Sequence, residues 1–76
     1  MKTVNISPNQ LRMARALLKL STVQVSKAVG LTRPAYYAIE NGNSDPKLSS
    51  FKAIVNFFES KDIVFLEDDQ IRLGSK

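Results

Sequence analysis

Residues 21–42, STVQVSKAVGLTRPAYYAIENG, limit what this chain can fold into more than any other stretch. They hold two helix starts, one tight turn and one helix stop. Ser21 with Gln24 forms an S-x-x-Q capping box, in which each side chain meets the other residue's backbone N–H. Thr32 offers a second cap. Gly30 stands where the chain must leave the first helix through a left-handed conformation, which a residue without Cβ adopts at least cost. Asn41 and Gly42 supply a second stop of the same type. The expected product is two short helices, over 22–29 and 33–40, joined by a turn of three or four residues.

The flanks extend the same logic. After a short extended lead-in over residues 1–6, Ser7, Pro8 and Gln10 make another capped start, with Pro8 at the first helical position where its missing N–H does no harm. A helix over about 8–19 follows, with Leu11, Ala14, Leu17 and Leu18 as its apolar stripe and Arg12, Arg15 and Lys19 as its charges. The pairs Ile6/Leu11, Leu20/Val25 and Leu31/Tyr36 each flank a cap as a hydrophobic staple. Val25, Ala28 and Val29 are expected to be the buried face of the second helix, with small Ser26 admitting a close neighbour. Tyr36 and Ile39 turn the third helix towards the core, and Arg33, Pro34, Tyr37 and Ala38 fall on its outward face.

Asn43, Ser44, Asp45 and Pro46 make a turn-rich loop. A fourth helix over 48–60 carries Leu48, Phe51, Ile54, Val55 and Phe58 at helical spacing, without an evident cap because Lys47 cannot serve. The period then changes. Residues 63–66 and 70–73 read as two strands of a hairpin around a polar turn of Glu67, Asp68 and Asp69. A lone hairpin is marginal in water, so this one must pack on the helices or on a second subunit. Ile63 and Phe65 alternate with Val64 and Leu66, so both faces are apolar, and Ile71 and Leu73 continue the pattern. These six side chains form the expected packing or dimer surface.

Length and composition narrow the function. Seventy-six residues, 43% of them apolar, suffice for one domain over 1–76 with a small core. The chain has neither cysteine nor histidine, so disulfides, thiolate metal sites, the commonest general base and the commonest metal ligand are missing. No Ser or Thr has a plausible base, and no Gly-rich phosphate loop occurs. Three consecutive acids at 67–69 diverge too much for a good oxygen cage. A non-enzyme with no metal and no cofactor is expected. No apolar run reaches the ~20 residues of a membrane span and no signal-like start occurs, which points to the cytoplasm. Net charge is +4 and uneven: residues 1–58 carry eight Lys/Arg and two acids, residues 59–76 three Lys/Arg and five acids. The helical part therefore attracts polyanions.

The string ARALLKLS, then VSKAVGLTRPAYYAIENG, then Asp45-Pro46 resembles the Cro/CI-type helix-turn-helix family, also called the XRE family. The tail FFESKDIVFLEDDQIRL is similar to the endings of small XRE-type regulators. The resemblance implies a mainly α, four-helix domain followed by a C-terminal β-hairpin, and a partner in double-stranded DNA bound by a homodimer. It implies an ion pair of Arg15 with Glu40, and phosphate contacts at Ser21, Thr22 and Asn41, with Lys27 and Lys47 as further phosphate charges. Arg33, Pro34, Tyr37 and Ala38 fall on the family's base-reading face. Arg33 can donate two hydrogen bonds to a guanine, worth ~1–3 kcal/mol of discrimination, while Pro34 and Ala38 offer apolar contact.

The chain also departs from the family's pattern. Relatives often carry Gln where Thr22 stands, and often a base after I-E-N-G where Asp45 stands. Two functions stay open: a regulator that represses from a palindromic site, and a protein-binding antitoxin or anti-activator that keeps the fold with weak or no DNA binding.

Overall fold

The computed structural model describes residues 6–74, so most of the lead-in expected over 1–6 lies outside the described residues. Four helices, α1 (Pro8–Leu17), α2 (Thr22–Val29), α3 (Arg33–Glu40) and α4 (Leu48–Ser60), precede a hairpin of β1 (Ile63–Phe65) and β2 (Ile71–Leu73). Both S-x-x-Q boxes form: Ser7 Oγ accepts from the Gln10 N–H while Gln10 Oε1 accepts from the Ser7 N–H, and Ser21 and Gln24 repeat the exchange. Thr32 Oγ1 accepts from the Ala35 N–H at 3.3 Å, and Lys47 stands at the start of α4 without a side-chain cap.

Helix ends are set by left-handed residues. Gly30 has φ +81°, and the N–H groups of Gly30 and Leu31 bond back to the carbonyls of Lys27 and Ser26, which is the Schellman pattern. A Cβ on Gly30 would meet nothing within 4 Å, so its backbone conformation alone calls for glycine. The first helix is two residues shorter than expected. It stops at Leu17 because Lys19 takes φ 58° and closes the same pattern, its N–H on Ala16 and the Leu20 N–H on Arg15.

Leu11, Ala14, Val25, Tyr36, Ile39, Ile54, Phe58 and Ile63 form one buried core to which every helix and the hairpin contribute. Three expected core positions are surface ones: Leu17 is 48% exposed, Leu48 is 67% exposed, and Ala28 is exposed. Leu17 is the last residue of α1 and Leu48 the first of α4. On α2 the residue buried beside Val25 is instead Ser26, which donates its hydroxyl to the Val23 carbonyl.

The strands pair antiparallel with Ile63 opposite Leu73, Val64 opposite Arg72 and Phe65 opposite Ile71. Cross-strand partners share a face, so Ile63, Phe65 and Ile71 form the face packed on the helical core. Phe65 stands edge-on to Phe58, ring centroids 6.0 Å apart. The opposite face carries half-buried Val64 and charged Arg72, and Leu73 at the sheet's end is 55% exposed. The hairpin reverses through Asp68 and Asp69, both left-handed. Gln10, read in the sequence only as half of a cap, also fastens the hairpin to α1: its Nε2 donates to the carbonyls of Leu66 at 2.7 Å and Gln70 at 2.8 Å.

Candidate nucleic-acid interface

The first and third helices are held together by a buried polar knot. The Glu40 side chain is 1% exposed and accepts from Arg15 Nε at 2.7 Å, Arg15 Nη2 at 3.0 Å and the Tyr36 hydroxyl at 3.0 Å. Arg15 Nη1 reaches on to the Leu20 carbonyl at 3.1 Å. One guanidinium thus ties the end of α3 to α1 and to the segment entering α2. The hydrogen bond to Glu40 raises the pKa of Arg15 further, against desolvation. Burial, and then the Glu40 charge, push the Tyr36 phenol well above its ordinary range, so it remains a donor.

With Tyr36, Ile39 and Glu40 turned inward, the opposite side of α3 is left to solvent. Arg33 and Pro34 are exposed in its first turn, Tyr37 is 54% exposed one turn later, and Ala38 is half-buried beside it. These four fall together because positions three and four apart share a helix face. The end of α3 is fastened by Gly42 at φ 78°, by the Asn43 N–H on the Ala38 carbonyl and by the Gly42 N–H on the Ile39 carbonyl. Asn41 turns its side-chain amide back onto the Tyr37 carbonyl at 2.9 Å.

At the start of α2, the capping box consumes the N–H groups of Ser21 and Gln24. The N–H groups of Thr22 and Val23 have no acceptor among the described residues. A helix N-terminus with open donors favours an anion. The Ser21 hydroxyl is already an acceptor for Gln24, so the N–H groups just after it offer the better anion contact. Lys27 and Lys47 are exposed. Among the described residues, no helix is long and apolar enough to cross a membrane.

A family model described as helix-turn-helix matches residues 11–66, which run from within α1 to the residue after β1. The chain is also 39% identical over 64 residues to an uncharacterised HTH-type transcriptional regulator of Methanocaldococcus jannaschii, covering 82% of this chain and 97% of that one.

Proposed function

The chain belongs to the helix-turn-helix family, and from that premise we propose that it is a sequence-specific DNA-binding regulator of transcription that reads the major groove with α3. The observation that carries this reading is the division of α3 into two sides. Its inward side is locked by the Arg15–Glu40–Tyr36 knot, and its outward side presents Arg33, Pro34 and Tyr37 without a tertiary partner among the described residues. A helix held this rigidly and left bare on one side suits insertion into a groove. Arg33 is the base reader, donating to guanine O6 and N7. Pro34 and Ala38 make apolar contact, and Tyr37 lies towards the backbone. The open N–H groups at the start of α2, with Lys27, Asn41 and Lys47, take phosphates and set the register.

One such helix reads only a few base pairs. The working form is therefore a homodimer on a palindromic operator, with half-sites about one helical turn (~34 Å) apart. Exposed Leu73 and the open edges of a two-stranded sheet favour assembly through the hairpin. A repressor is the simplest outcome, because a dimer bound across a promoter blocks it by occupying it. The role is binding, not catalysis, and it is cytoplasmic.

Selection of sites from a random duplex library tests this reading. A two-fold-symmetric motif with a guanine in each half is expected, and Arg33→Ala should relax that position alone. Leu73→Glu should reduce the selected motif to one half. Exposed Asp45, an acid two residues before Lys47, favours a second reading as a protein-binding module. Failure to enrich any motif at low salt would favour it.

A further inference from the structure

The last four carbonyls of α3 are all occupied, but not in the same way. Tyr37 O accepts from the Asn41 N–H at 3.0 Å, Ala38 O from the Asn43 N–H at 2.8 Å and Ile39 O from the Gly42 N–H at 3.1 Å. Those bonds are local. Glu40 O accepts instead from Arg12 Nη1 of α1, at 2.7 Å. Arg12 and Arg15, one turn apart on α1, therefore grip Glu40 by its backbone and by its side chain. Both place positive charge at the negative end of the α3 dipole.

Arg12 is itself held. Its Nη2 donates to Asn9 Oδ1, and Asn9 Nδ2 donates to Asp69 Oδ2 at 3.1 Å. A continuous hydrogen-bonded chain therefore runs from the hairpin turn, through Asn9 and Arg12, to the final carbonyl of α3. Tyr36 and Ile39 anchor the inner side of this end of the helix in the core. The loop after Gly42 backs onto a cleft of about 110 Å³ between Pro8, Leu11, Ile39, Pro46 and Phe51.

We propose that Arg12 is a positioning residue for DNA recognition, which sets the C-terminal end of α3 and the loop after it, and that Asn9 and Asp69 brace its guanidinium from the hairpin turn. The proposal rests on the DNA-binding reading above. It gives the hairpin a direct mechanical link to the recognition helix, in addition to any role in assembly.

The test uses the full chain with Arg12→Lys, Arg12→Met and Asp69→Gly; glycine keeps the left-handed backbone at 69 unstrained. Affinity for the selected duplex is measured against salt, and amide hydrogen exchange is followed at residues 41–43 of the free protein. Both Arg12 variants should bind about tenfold more weakly, with an unchanged slope of log affinity on log salt, and exchange should quicken at 41–43. Asp69→Gly should weaken binding about threefold, and should add nothing in the Arg12→Met background. Wild-type affinity in Arg12→Lys, together with a slope reduced by about one in Arg12→Met, would make Arg12 a phosphate contact and overturn the proposal. So would unchanged affinity in Arg12→Met. If the wild-type chain binds no DNA, the DNA reading has failed separately. Exchange at 41–43 then decides whether Arg12 positions the end of α3: quickened exchange supports it and unchanged exchange overturns it.

Discussion

Replacing Arg15 by Met should remove a large part of the stability of this domain. Glu40 is 1% exposed and accepts three hydrogen bonds, two of them from Arg15. Methionine fills similar space but leaves the carboxylate with the Tyr36 hydroxyl alone. A buried charge stripped of its partner costs about 3–5 kcal/mol. At roughly 0.05–0.15 kcal/mol per residue, a chain of this length has about 4–11 kcal/mol in total. The expected fall in Tm is therefore on the order of 12 °C or more. Thermal and urea denaturation at pH 7, followed by circular dichroism, measure it. Glu40→Gln in the Arg15→Met background removes the stranded charge and keeps a group that can meet Tyr36. The double variant should be more stable than Arg15→Met alone. If Arg15→Met costs under about 1 kcal/mol, as an exposed ion pair would, or if the double variant is no better, the reasoning about the buried knot is wrong.

Three further predictions concern the scaffold. Tyr36 has its pKa raised above the ordinary 10.0, chiefly by burial. Its contribution is complete below pH 10 and declines as the unfolded chain ionises, by up to ~1.4 kcal/mol per pH unit; a pH series of urea titrations should show that decline in the wild type and a shallower one in Tyr36→Phe. Lys19 holds φ 58° and Gly30 φ 81°, so Lys19→Gly should stabilise and Gly30→Ala destabilise the fold, each by roughly 1 kcal/mol in chemical denaturation. Gln10→Leu removes two donors to the hairpin and one acceptor for Ser7. It should cost about 1–3 kcal/mol, with amide exchange quickened first at residues 66–71; uniform quickening across all four helices would refute the role given to Gln10.

The helices were legible because their ends are written locally. Ser7/Gln10, Ser21/Gln24 and Thr32 mark starts, and Gly30 and Gly42 mark stops, within a few residues of where each acts. The end of α1 was not legible, because a lysine takes the left-handed position that glycine usually announces. Leu17 and Leu48 have the right period for a core, but they are the last residue of α1 and the first of α4, and both are exposed. At the site, the outward side of α3 follows from its spacing and the Arg15–Glu40 pair from the family resemblance. The links from Gln10 to the hairpin and from Arg12 to Glu40 join residues 28 to 60 positions apart, and no local pattern records such contacts.

Whether the bare side of α3 meets DNA is the central question, and the salt dependence of binding to a duplex carrying the selected site answers it most directly. Specific binding should weaken by orders of magnitude between ~50 and ~200 mM salt, with Lys47→Ala lowering affinity for every sequence and Arg33→Ala lowering it only where a guanine is read. Binding that ignores salt, or that neither substitution changes, would contradict it.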